Sequence, residues 1–170
     1  MIIQPGNFAF IDAQNLYQGV KSQGWEVDYR RLRRYLRDKY NVTKAILFIG
    51  YIAERQLVYD FLRSCGYEIV FKPTVVIREN GKERIKGNVD AELVLHAAAV
   101  EYENYGQAVI ITGDGDFACL VEFLEEKGKL CRVIAPSKEY SKLLKKYRDK
   151  VVVISKFKDK IKSQEQRSVD

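Results

Sequence analysis

Histidine, cysteine and proline are all scarce in this 170-residue chain, and each shortage narrows what it can do. His96 is the single histidine, which makes a Ser-His-Asp triad or a His/Cys zinc site a poor expectation. Cys65, Cys119 and Cys131 are odd in number and form no C-x-x-C pair. Cys119 and Cys131 fall inside apolar patterns, where a thiol packs as a small hydrophobe. No apolar run approaches the roughly 20 residues that a membrane helix requires. Residues 1–7 lack the basic and then apolar pattern of a leader. The expectation is a cytoplasmic protein with no membrane partner and no small-molecule cofactor.

Apolar side chains are plentiful, at 46% of the chain, enough to cover both faces of a central sheet. The length fits one domain, expected over residues 1–155, followed by a charged and mobile tail at 156–170. Net charge is +6, and the cations cluster. Arg30, Arg31, Arg33, Arg34 and Arg37 share one segment, and Arg78, Lys82, Arg84 and Lys86 another. A polyanionic partner would account for this, and so would a well-solvated surface.

Short apolar runs alternate with helical patterns throughout. Residues 8–11, 45–51, 68–71, 108–112, 130–135 and 151–154 read as strands that are apolar on both sides. Helices are expected near 15–24, 29–40, 54–65, 88–102, 116–127 and 140–147, with Asp28 and Asn88 as caps. In the third of these, Leu57, Val58, Phe61 and Leu62 form the apolar face. Asn80-Gly81 supplies the positive φ angles of a tight turn, so 74–86 reads as a β-hairpin. The fold class is therefore α/β, with a mostly parallel sheet, helices on both faces and a hairpin insertion.

Ligands of open α/β sheets bind beyond the carboxyl ends of the strands. Asp12 closes the first strand, and Asp114 and Asp116 follow the fourth in Thr112-Gly113-Asp114-Gly115-Asp116. Asp90 opens the helix after the hairpin, with Glu92 two residues on. Taken singly, each acid could cap a helix or complement its dipole. Gathered at one edge they repel, and a hard divalent cation, Mg²⁺ or Mn²⁺, is the natural compensation. Two such ions would suit phosphodiester hydrolysis by activated water, and Gly113 and Gly115 would let a phosphate approach closely.

Three segments carry a family resemblance. Residues 10–17, Phe-Ile-Asp-Ala-Gln-Asn-Leu-Tyr, resemble an I-D-G-x-N-L motif with Ala13 in the glycine position. Lys86-Gly87-Asn88-Val89-Asp90 resembles a K-G element followed by V-D, and residues 111–117 resemble S-G-D-x-D-F with Thr112 in place of serine. In this the chain is similar to NYN domains, a branch of the PIN-like metal-dependent ribonucleases, over about residues 7–135. The resemblance implies a PIN-like (Rossmannoid) three-layer sandwich and hydrolysis of single-stranded RNA, with endonucleolytic cleavage expected. It implies Asp12, Asp90, Asp114 and Asp116 as metal-binding acids, and Asn15 and Thr112 as residues that orient a ligand, water or another acid. Members often carry a further aspartate where this chain has His96, which reads as a packed helix residue, a phosphate contact or a ligand to a softer ion.

An acidic centre repels phosphate, so cations must hold the RNA. The hairpin residues Arg78, Lys82, Arg84 and Lys86 are the candidates for backbone contact. The arginine-rich helix is read as a wet face, and Tyr51 and Tyr105 as core-edge aromatics that could stack on bases. The other class of function is an RNA-binding or protein-interaction module that retains the fold without useful catalysis, favoured by His96 and Ala13. A DNA-directed nuclease is a third reading. A homodimer stays open.

Overall fold

The computed structural model describes residues 4–72, 74–86 and 89–164, apart from the side chains of residues 85 and 86. Six parallel strands form the central sheet: β1 (Asn7–Asp12), β2 (Val42–Gly50), β3 (Tyr67–Lys72), β6 (Ala108–Ile111), β7 (Leu130–Ala135) and β8 (Val151–Val153). Their order is β3-β2-β1-β6-β7-β8. The chain winds outward from β1 in one direction and from β6 in the other. The topological switch point thus lies between β1 and β6, the position beyond whose strand ends open α/β sheets bind ligands.

Each sheet face buries its own cluster. Ala9, Ile11, Leu47, Val109 and Ile111 point to one side, against α1 (Ala13–Lys21) and α2 (Tyr29–Tyr40). Phe8, Phe10, Ile46, Phe48 and Ile110 point to the other. There they meet α4 (Asp90–Leu95), which continues as a π-helical turn over His96–Val100, and α5 (Ala118–Glu126). The strict alternation along β1 explains why its run has no polar side. Asp28 caps α2 by accepting from the Arg31 amide, and Asn41 ends it in the left-handed conformation (φ 53°).

The hairpin, β4 (Val75–Glu79) and β5 (Lys82–Lys86), pairs only with itself among the described strands. Asn80 and Gly81 both have positive φ, as a two-residue turn of this kind requires. The proposed cap Asn88 lies outside the described residues, and α4 begins at Asp90.

Two expectations are corrected. In α3 (Gln56–Ser64), Tyr59 and Leu62 face inward, while Leu57 is 85% exposed and Val58 and Phe61 are half exposed. The Tyr59 ring packs on Phe71 at 4.7 Å, and its hydroxyl accepts the Ile52 amide, so the larger amphipathic ring takes the inner position. The chain after 155 is also not a free tail as far as it is described. Phe157 and Ile161 are buried, the latter in α6 (Lys158–Ile161). Backbone bonds from Asp28 to Ile161 and from Ser163 to Glu26 pin this segment beside α2. Two apolar residues four apart suffice to dock one helical turn, despite four lysines in residues 156–162. No helix among the described residues is long and apolar enough to cross a membrane.

Candidate metal centre at the switch point

Asp12 is the last residue of β1 and the cap of α1, and only 6% of it is exposed. Its Oδ1 accepts the Asn15 amide at 3.2 Å, and its Oδ2 accepts the Thr112 hydroxyl at 3.4 Å. Burial pushes its carboxyl up to about 6, and the charges of Asp90 and Asp114 push in the same direction. The two hydrogen bonds oppose this incompletely.

Thr112, fully buried just past β6, works in two directions. Its hydroxyl donates to Asp12 and accepts the Asp114 amide at 3.1 Å. Asp114 caps the 3-10 turn Gly115–Phe117 by accepting the Asp116 amide at 2.9 Å. On the other side, the Asn15 side-chain carbonyl accepts the Gly113 amide at 2.8 Å. The β1–α1 junction and the loop after β6 are thereby tied together by side chains rather than by sheet pairing.

Among the described residues, Asp90, Asp114 and Asp116 each offer an oxygen within 4.8 Å of the others. Asp12 lies behind this trio, near enough to feel Asp90 and Asp114 electrostatically. The acids named from the sequence therefore share one edge of the sheet, with Asn15 and Thr112 among them. Glu92 turns elsewhere, its Oε2 3.8 Å from the Lys72 ammonium at the end of β3. His96 does not join the carboxylates. Its ring meets Phe48 edge-on at 5.4 Å, and its Nδ1 is buried without a hydrogen-bond partner.

The glycines have a different role from the one expected. A Cβ on Gly115 would lie 2.4 Å from Ser141 Oγ and 3.0 Å from Leu143 Cδ1; one on Gly113 would lie 3.3 Å from Tyr140 Cβ. The Ser141 amide also donates to the Gly113 carbonyl. The close approach is made by the protein's own segment 140–143, which buttresses the acidic loop. Sequence reasoning missed Tyr140 and Ser141; two glycines alternating with acids were the available signal that something must pack there.

The cations proposed for RNA are not equivalent. Arg78 gives Nε and Nη2 to Glu83 Oε1 at 3.1 and 2.9 Å, so its charge is already matched. Register places Arg78 opposite Glu83 and Arg84 opposite Ile77, so Arg78 and Arg84 occupy different faces of the hairpin. Lys82 and Arg84 share a face and are exposed. The Lys86 side chain lies outside the described residues. Tyr105 is buried and donates to the Ala97 carbonyl, which removes it as a base-stacking platform.

Comparison with known proteins agrees with this architecture. The NYN domain family model matches residues 8–155. The chain is 25% identical to the low amplitude and bright protein LabA of Synechococcus elongatus, over 97% of this chain and 92% of that one. A solved structure of similar fold is VPA0982 of Vibrio parahaemolyticus, a protein of unknown function. It superposes with a TM-score of 0.72 over 96% of this chain and 99% of its own, at 22% identity.

Proposed function

The chain belongs to the NYN domain family, and on that footing we propose that it is a divalent-metal-dependent ribonuclease that cuts single-stranded RNA internally. The observation that carries this reading is the convergence of Asp90, Asp114 and Asp116 within 4.8 Å beside the buried Asp12. Carboxylates so close repel one another, and a divalent cation among them relieves that repulsion. The donors are all oxygens, which fits a hard ion such as Mg²⁺ or Mn²⁺. Asp90, Asp114 and Asp116 would hold it from the open side, and Asp12 from the buried side. When bound, such an ion supplies Lewis acidity toward a phosphoryl oxygen and eases the ionisation of water at neutral pH.

The protein's own residues supply position. Thr112 fixes the separation of Asp12 from Asp114, and Asn15 fixes the Gly113 turn, so the acids are set before substrate arrives. Lys82 and Arg84 offer the incoming backbone two exposed cations.

The test is cleavage of mixed-sequence single-stranded RNA by highly purified protein with Mg²⁺, Mn²⁺ or EDTA, beside Asp114→Asn. Cleavage in either metal, lost in EDTA and in the variant, is the expected result. Equal cleavage by Asp114→Asn and the parent would assign the activity to another site or to a contaminant. A module that binds RNA without cutting it is the second reading. It is favoured by His96, which packs on Phe48 where family members often add an acid. Binding without cleavage in the same assay would select it.

A further inference from the structure

Away from the acidic edge, α2 and α6 bound an open groove of about 450 Å³ lined by Arg31, Arg34, Tyr35, Asp38, Lys39 and Lys160. We propose that this groove is a second phosphate-binding site, holding the RNA backbone at a distance from the metal centre; the inference rests on RNA being the substrate.

Residues 31, 34, 35 and 38 follow one face of α2 at helical spacing. Lys160 reaches the same groove from the turn that Phe157 and Ile161 dock. Tyr35 is backed from within: its ring stacks on Phe157 at 4.2 Å and 10°, and the Lys160 ammonium lies 5.9 Å from the Tyr35 centroid. The charge is unmatched. Asp38 is bound to Arg37 at 2.9 Å, and Arg31 is shared with Asp28 at 3.6 Å. Arg34, Lys39 and Lys160 make no ion pair among the described residues.

Solvation alone does not explain the whole arginine cluster. Arg33 is spent on structure, donating to the carbonyls of Gly66, Val42 and Thr43. Its neighbours on the groove side have no such task. Three like charges around one concavity call for an anion. The groove is open rather than enclosed, which suits a phosphodiester chain better than a single nucleotide.

The Asn7 side chain donates to the Tyr40 carbonyl at the start of β1, so Lys39 lies toward the sheet edge opposite the acids. The α2 helix spans about 18 Å, the reach of several nucleotides. An RNA engaging both sites must extend well past the cut.

The test uses the variant Arg34→Gln/Lys39→Gln/Lys160→Gln, which keeps polar side chains at three exposed positions, with its melting temperature compared with the parent's. Fluorescence anisotropy of a labelled single-stranded 20-mer in EDTA, at several salt concentrations, reads binding. Cleavage of a tetranucleotide in Mg²⁺ reads the centre. Affinity for the 20-mer should fall about tenfold and the log–log salt slope should flatten by about 2, while tetranucleotide cleavage is unchanged. If the triple variant melts early, Lys39→Glu alone should shift affinity in the same direction. Unchanged affinity and slope in a folded variant overturn the groove. A parent that never cleaves, whose variant nonetheless loses RNA affinity, overturns the nuclease reading and supports the groove.

Discussion

Asn15 Oδ1 and the Gly113 amide, 2.8 Å apart, join the first turn of α1 to the loop after β6, 98 positions apart in the chain. No ladder bond makes this link, because β1 and β6 stop pairing at Ile11 and Ile111. Asn15→Ala leaves the amide without its partner in a half-buried setting. We expect a loss of about 1–2 kcal/mol in urea unfolding, and a fall in kcat greater than any rise in KM, because the acids lose alignment rather than affinity.

The raised carboxyl of Asp12 has a defined sign. With a folded value near 6 against 3.8 in the unfolded chain, the native state holds the proton more tightly. Its contribution is fully present below pH 3.8 and is lost as pH rises to about 6. Without metal, the stability gain of Asp12→Asn over the parent should therefore grow between pH 4 and 6 and then level off. The ceiling is about 3 kcal/mol, less what the lost Thr112 contact contributes. A gain independent of pH in thermal or urea melts would mean that Asp12 is not held protonated.

Hairpin cations should separate by face. Lys82→Ala/Arg84→Ala should weaken binding to RNA of any sequence and flatten the salt dependence by about 1. Arg78→Ala should change RNA affinity little, since Glu83 already claims that guanidinium. Its effect on stability should stay within about 0.5 kcal/mol, as an exposed pair allows. Equal losses from both variants, measured by anisotropy, would refute the division.

At Gly115 the space is already filled. Gly115→Ala brings a methyl into Ser141 and Leu143, and either the 140–143 segment or the acidic turn must shift. A destabilisation of about 1–3 kcal/mol is expected. Metal-dependent protection against melting should be lost with it. Ser141→Gly in the same chain should recover part of both.

Phe157 tests the corrected terminus. Phe157→Ala should cost about 3–5 kcal/mol, seen as an earlier thermal transition. A chain ending at residue 155 should fare worse, since it also loses Ile161. A truncated chain as stable as the parent would restore the free tail.

The centre was legible because its signals are local. Asp12 and Thr112 each follow a run of four apolar residues, and a buried strand that ends on a polar residue delivers it to the sheet edge. What was not legible depended on neighbours that the pattern cannot name. Leu57, Val58 and Phe61 make as good an apolar stripe as Tyr59 and Leu62, and only contact with Phe71 decides between them. Arg33 reads like Arg34 until Gly66 and Val42 are placed beside it. The groove is hidden for the same reason, because the charge-rich sequence of its second wall reads as tail.

Residues of the acidic cluster come from positions 12, 90, 114 and 116, and they meet only when β6 has closed against β1. A polypeptide still emerging from the ribosome, and not yet extended past Asp116, lacks at least one of the four acids and so has no complete centre. Pairing over so long a separation is also slow relative to local helix formation. If cleavage is the protein's task, nascent chains and amino-terminal fragments that stop short of Asp116 are inert toward RNA, their own message included.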